Sequence, residues 1–196
     1  MRLNNNNFYI MRHGPTCYQT TRKNYVYPRE GSLTKAGLTK EGKDRVFKTA
    51  KKIKRLSISL IYASDFRRTK ETAKIVAREI GLKDERLIFS SRLRDINLGI
   101  YHEKPKKEFY SDFPNFFDDF SQKPKGGESL YEAGERMSSF VSELEGKHQG
   151  ENILIISHGE PLWLLEGWAK RLKEKDLSED GIKLNYIQPG ELRKLN

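Results

Sequence analysis

The sequence predicts an α/β fold: a three-layer α/β/α sandwich with a mostly parallel central sheet and a short helical lid excursion. Two observations predict it. Short apolar runs alternate with segments of helical period along the chain. The strongest run, Asn152-Ile153-Leu154-Ile155-Ile156, is apolar without alternation, as a strand buried on both faces requires.

The elements follow in order. Phe8-Tyr9-Ile10-Met11 reads as the first strand, Leu60 to Ala63 as the second and Arg86 to Phe89 as the third. Asn152 to Ile156 is the fourth, and a weaker last strand is expected near Ile182 to Ile187. From Thr39 onward, Val46, Ala50, Ile53 and Leu56 share one helical face. After Asp65, the positions Thr69, Thr72, Ala73, Val76 and Ile80 repeat at helical spacing, and Gly81 follows as a stop. Ser129-Leu130-Tyr131-Glu132 is a capping box that opens a helix carrying Ala133, Met137, Phe140, Val141 and Leu144. Gly159-Glu160-Pro161 starts a helix through Leu162, Leu165 and Ala169, with Pro in the first turn, where its missing N–H costs nothing. His102 to Gly127 is rich in Phe, Lys, Pro and Asp with poor periodicity. It reads as a lid inserted into a single domain spanning residues 1–196.

Composition narrows the function classes. A chain of 196 residues with no visible repeat or long linker fits one domain. A domain of that size buries roughly 70% of the surface its unfolded form exposes, so it needs no metal or disulfide as a staple. Cys17 is the single cysteine, which excludes an internal disulfide. Met1 to Asn7 lacks the apolar core of a secretory signal, and no run approaches the ~18 apolar residues of a membrane span. The expected compartment is the cytoplasm, with no membrane partner. Lys and Arg number 37 against 27 Asp and Glu, a net charge of +10. That balance suits either a basic solvated surface or a nucleic-acid partner.

The chemistry gathers at strand ends. Arg12-His13-Gly14 leaves the first strand and Ser157-His158-Gly159 leaves the fourth. Ligands of open α/β sheets bind outside the carboxyl ends of strands, where helix N-termini favour anions. One histidine there is commonly structural; two in matching contexts, with Arg12 beside one, form a compact cationic site. Arg68 is expected in the first turn of the helix after Asp65. There it opposes the helix dipole, a cost that makes sense if an anion shares the place. Arg12 and Arg68 can each grip phosphate oxygens with a planar fork. The bland alternative is that Arg67 and Arg68 are surface charges.

At these residues the sequence resembles the histidine phosphatase superfamily, in its phosphoglycerate-mutase-like branch. Arg12-His13-Gly14 is similar to the family's phosphohistidine motif, and Ser64 to Ala73 to its second arginine motif. Leu38 to Gly42, Gly126-Gly127-Glu128-Ser129 and Ser157-His158-Gly159 match further landmarks in the same order. The resemblance implies that His13 attacks phosphorus and becomes a phosphohistidine, splitting one displacement into two. It further implies that Arg12, Arg68 and a protonated His158 stabilise the passing phosphoryl group and lower the proton affinity of His13. No metal and no cofactor is called for. His13, His102, His148 and His158 show no metal-ligand spacing with each other or with Cys17.

The chain departs from the family pattern in places. Where the family usually has a glutamate as proton donor, this chain has Asp95, one methylene shorter. Between Arg92 and Arg94 its pKa is expected to be held low. Glu160 is the reserve candidate for the acid and Glu103 a weaker third. Thr16 and Gln19 stand where the family often has a hydroxyl residue and an asparagine. They are expected to contact the phosphate, as are Gly159 and Glu160. Tyr101-His102-Glu103 replaces a common aromatic-Glu-Gly. A near match to a P-loop, Gly37 to Asp44, is rejected. It ends in Asp instead of Ser or Thr, and no apolar strand precedes it.

The leading expectation is a metal-independent phosphomonoesterase acting on a small phosphorylated metabolite. One alternative is a cofactor-dependent phosphoglycerate mutase, disfavoured by the short excursion, which leaves water as acceptor. The other is a non-catalytic module binding phosphate or RNA, supported by Asp95 and by the lysines Lys104, Lys106, Lys107, Lys123 and Lys125. Those lysines suggest a substrate with more than one acidic group. Phe109, Tyr110, Phe113, Phe116 and Phe117 either form a core stripe under the lid or pack on a sugar or base. The chain begins near its first strand and stops soon after Pro189-Gly190, so a piece of a longer protein fits it too. Nothing in the sequence sets an oligomeric state.

Overall fold

The computed structural model describes residues 3–29, 36–177 and 186–196. Among them, five strands form one sheet: β1 (Asn7–Arg12), β2 (Leu60–Ser64), β3 (Leu87–Ser90), β4 (Asn152–Ser157) and β5 (Leu192–Lys194). The order is β3-β2-β4-β1-β5. The first four strands in that order run parallel, and β5 pairs antiparallel with β1. The register sets Arg12 beside Ser157 and Ala63 beside Ile156. The residues following β1, β4 and β2 therefore emerge side by side at the sheet's carboxyl edge.

Helices cover both faces. α1 (Lys40–Ile53) and α2 (Arg67–Ile80) pack on one, burying Val46, Ala50, Ile53, Ala73 and Val76 against Leu154 and Ile156. α4 (Leu130–Lys147) and α5 (Gly159–Ala169) pack on the other, burying Met137, Phe140, Leu144 and Leu162 against Ile153 and Ile155. Successive β4 residues thus feed opposite cores, which is why the run carries no polar alternation. The caps are those the sequence indicates. The Thr39 side chain accepts from the Gly42 N–H, Ser129 and Glu132 close a reciprocal capping box, and Gly81 ends α2 at φ +72°. Gly37 to Asp44 runs into α1 with Thr39 as its N-cap, so it builds a helix start and no phosphate loop.

Between β3 and α4 the chain carries one short α-helix, α3 (Lys106–Asp112). Aromatic residues of this stretch join a third apolar cluster, in which Phe109, Phe116 and Phe120 pack with Leu130, Trp163 and Leu164.

The last strand differs from expectation. Ile182 to Asn185 lie outside the described residues, and Tyr186 and Ile187 are not in a strand. The closing strand is Leu192–Lys194, a polar edge strand too short and too charged to show an apolar signal.

One buried carboxylate ties the N-terminus to α4. Glu145 is 1% exposed and accepts the Asn4 and Asn5 N–H groups at 2.5 and 2.6 Å and Asn6 Nδ2 at 2.9 Å. Glu145→Ala leaves three donors without this acceptor at the entry to β1. We expect a loss of about 3 kcal/mol, read as a melting temperature lower by roughly 6–12 °C. An unchanged melting curve would contradict the assigned role.

Candidate active site

His13 sits at the carboxyl end of β1, 1% exposed, with its backbone N–H donated to Ser157 O. Its Nδ1 lies 2.8 Å from Gly14 O. A carbonyl only accepts, so Nδ1 carries the proton and Nε2 holds a free lone pair. Burial, then the charges of Arg68 and Arg12, hold its pKa well below that of an ordinary histidine. The neutral nucleophilic form therefore persists into mildly acidic solution. Gly14 must be glycine: a Cβ there would lie 2.5 Å from Val46 Cγ2 and 2.9 Å from Gly42 O.

Arg68 is 2% exposed, whereas Arg67 is on the surface with its Nε 2.7 Å from Glu71 Oε1. The surface-charge alternative therefore holds for Arg67 and fails for Arg68. Arg68 donates Nε to His158 Nδ1 at 3.1 Å and Nη2 to Asp95 Oδ2 at 2.9 Å. Its guanidinium stacks 4.1 Å from the Tyr27 ring centre.

These contacts correct the expectation of a protonated His158. Its Nδ1 accepts from Arg68, so the proton is on Nε2 and is donated to Ser64 Oγ at 2.9 Å. Burial, Arg68 and His13 together depress its pKa far below the ordinary value. His158 is a neutral dipole at rest and lowers His13's basicity only when it charges.

Arg12 donates Nη1 to Ile187 O at 3.0 Å and lies 5.0 Å from the Tyr186 ring centre. Its Nε is buried with no hydrogen-bond partner among the described residues. A buried charged donor without a partner is costly, and an anion between Arg12 and His13 would relieve that cost.

Asp95 reaches the site because its segment is pinned from two sides. Ser157 Oγ donates to Leu93 O at 2.8 Å, and Arg136 Nη1 donates to Arg92 O and Arg94 O. The expectation that Arg92 and Arg94 hold its pKa low is wrong. Arg92 pairs with Glu143 and Arg94 makes a two-pronged pair with Asp65. Burial and the Glu160 charge instead push Asp95 up to about 6, against the opposing pull of Arg68 and Arg12. A carboxyl at that value is poised for proton transfer near neutrality.

The remaining expected contacts divide. Gln19 lines the cavity and Thr16 does not. Thr16 Oγ1 donates to Gln19 Oε1, Gln19 Nε2 donates to the Tyr27 hydroxyl, and that hydroxyl donates back to Thr16 Oγ1. The Tyr18 N–H takes the last acceptor position on Thr16. The expected Thr16–phosphate bond is therefore replaced by a closed ring that holds Tyr27 beneath Arg68. Glu160 lines the cavity and hydrogen-bonds the Tyr186 hydroxyl. Gly159 is not a cavity residue: a Cβ there would meet the Tyr186 hydroxyl at 2.0 Å, so its task is to admit Tyr186. Glu103 does not line the cavity. Of the excursion's lysines only Lys106 does; Lys123 pairs with Glu132.

Tyr27, Ser64 and Tyr186 escaped sequence reasoning. Ser64 stood inside the second arginine motif, a usable signal. Tyr27 and Tyr186 lie in irregular segments with none. Among the described residues no cluster of His, Cys, Asp and Glu has metal-binding geometry, and no helix is long and apolar enough to cross a membrane.

The profile of the histidine phosphatase superfamily (branch 1) matches residues 8–185. Over 175 residues the chain is 28% identical to a probable phosphoglycerate mutase GpmB of Escherichia coli, covering 83% of this chain and 77% of that one. The Bacillus stearothermophilus YhfR structure superposes with a TM-score of 0.76 at 26% identity, covering 95% of this chain and 89% of that one. A mycobacterial glucosyl-3-phosphoglycerate phosphatase shares the fold, with a TM-score of 0.80 at 20% identity over 96% of this chain and 88% of that one. With two histidines and two arginines converging at the carboxyl edge of its sheet, and a profile match over most of its length, the chain belongs to the histidine phosphatase superfamily, branch 1.

Proposed function

We propose that this protein is a metal-independent phosphomonoesterase working through a phosphohistidine on His13. One observation carries the reading: the Nδ1 proton is locked on Gly14 O, which leaves Nε2 unprotonated in a cavity shared with Arg12, Arg68 and Asp95. Nε2 attacks phosphorus while the ester P–O bond breaks. Asp95, in its acid form, delivers its proton to the leaving oxygen. The resulting carboxylate then takes a proton from water as that water attacks the phosphohistidine, releasing phosphate and restoring both residues. Arg12 and Arg68 balance the charge on the three equatorial oxygens throughout. Glu160 stays the reserve acid, because it lines the same cavity. In this reading the chain is one domain, with 102–127 as its lid, and its partner is a small phosphorylated substrate.

The names of the E. coli relatives favour a second reading, in which His13 returns the phosphoryl group to a sugar acid. The short excursion supports water as the acceptor instead. A deciding experiment combines vanadate binding with product analysis. We expect vanadate to inhibit competitively and to bind in a crystal between His13 Nε2, Arg12 and Arg68. Free phosphate should be the product from phosphorylated metabolites. A vanadate-soaked crystal with that position empty would sink the mechanism, and phosphate transferred to a second sugar acid would install the mutase.

A further inference from the structure

Beyond the phosphate position the cavity changes character. It offers about 120 Å³ of space, of the order of the ~150 Å³ apolar cavity that admits benzene, so it suits a single ring. One wall comes from the excursion, with Phe109, Tyr110, Phe116 and Phe117. The lining also includes Tyr18, Val26, Tyr27 and Pro28, together with Phe66, Ile96 and Leu98.

The polar groups in these walls are largely spent. His102 donates Nδ1 to Tyr27 O at 2.7 Å and accepts the Leu98 N–H on Nε2 at 3.2 Å. The Tyr27 hydroxyl is consumed by the ring with Thr16 and Gln19. Gln19 keeps one amide proton, since Nε2 has two and Tyr27 takes one. The Lys106 N–H donates to Asn24 O, but its ammonium makes no hydrogen bond or ion pair with a described residue. The walls are also fixed in place: Phe109 and Phe116 are 3% and 2% exposed, with ring centres 4.9 Å apart in a T-shaped pair.

We propose that this cavity selects phosphomonoesters of aromatic or other flat apolar alcohols, with room for at most one distal acidic group beside Lys106. This deepens the phosphatase reading and rests on it. A sugar phosphate carries a hydroxyl on nearly every carbon. Each one desolvated here without a partner costs roughly tenfold or more in affinity. A ring in the same place loses nothing polar and packs edge or face against the aromatic walls. The expectation of a multiply acidic substrate, drawn from the lysine content, finds one lysine in the lining where several were anticipated.

The test compares kcat/KM for 2-phenylethyl phosphate, ethyl phosphate and 3-phosphoglycerate. The first two release primary alcohols of similar basicity, so their ratio reads the cavity and not the chemistry. We expect phenylethyl over ethyl by roughly 30-fold, the worth of burying one ring, with 3-phosphoglycerate no better than ethyl phosphate. Phe117→Ala with Tyr110→Ala should lower the phenylethyl-to-ethyl ratio about tenfold. Calorimetry supplies a readout that needs no turnover: phenylphosphonate should bind at least tenfold tighter than methylphosphonate. A ratio within threefold in both assays, or preference for 3-phosphoglycerate, overturns the proposal and leaves the phosphatase reading standing. Tight phenylphosphonate binding with no hydrolysis of any ester supports the cavity assignment and overturns the phosphatase reading.

Discussion

His13→Ala lowers kcat for 4-nitrophenyl phosphate by about 10⁴-fold or more, with a metal chelator present in both assays, as expected when a nucleophile is deleted. The size of the effect follows from the site's geometry. Arg12 and Arg68 can hold a phosphate but cannot attack it, and His158 is unable to substitute. Its Nδ1 lone pair is occupied by Arg68 and its Nε2 proton by Ser64. The mutant keeps both arginines, so it should still bind phosphate. That separates loss of chemistry from loss of fold. Wild-type protein quenched with an unreactive denaturant should carry an acid-labile phosphoryl group that the mutant lacks. Undiminished activity in His13→Ala would end the phosphohistidine mechanism.

Asp95→Asn should slow ethyl phosphate by about 10²–10⁴-fold, the usual worth of a general acid. It should slow 4-nitrophenyl phosphate by less than about tenfold, because that leaving group departs without a proton. Asn keeps an oxygen for Arg68 Nη2, so the arginine stays placed. The pH dependence has a definite sign. The working form of Asp95 is protonated, and with a value of about 6 it is present below pH 6 and lost above it. His13 stays neutral across that range because its own value is depressed. The wild-type advantage over Asp95→Asn on ethyl phosphate should therefore shrink as pH rises through about 6. The substrate's second ionisation acts on both proteins and cancels in the ratio. Once a phosphate dianion is bound beside the carboxyl, its pKa moves up, so the limb in kcat should lie above the limb in kcat/KM. Equal losses on both substrates would transfer the role to Glu160.

The parts of the molecule legible in the sequence are those governed by local pattern. Val46, Ala50 and Ile53 mark α1 by their spacing, Ser129 and Glu132 mark the start of α4, and the unbroken apolar run marks the central strand β4. The placement of His13 and His158 after two strands was readable for the same reason, since ligand sites of parallel sheets gather at carboxyl ends. Arg68 was readable through its oddity at a helix N-terminus.

What failed to read out depends on contacts between distant segments. Asp95 has Arg92 and Arg94 as chain neighbours, yet both turn to other carboxylates. Its environment is set by Glu160 and Arg68, 65 and 27 residues away along the chain. The protonation of His158 followed from Arg68 and Ser64, and the task of Thr16 from Tyr27. Sequence alone therefore determined the order of the main elements from β1 to α5, their buried faces and the residues present at the catalytic edge, because helical and strand periods are local properties of the chain. Tertiary structure decided which of those residues carry protons, which are spent holding one another, and what kind of alcohol the cavity admits. Desolvation and through-space charge, which set all three, act between groups that only folding brings within a few ångströms.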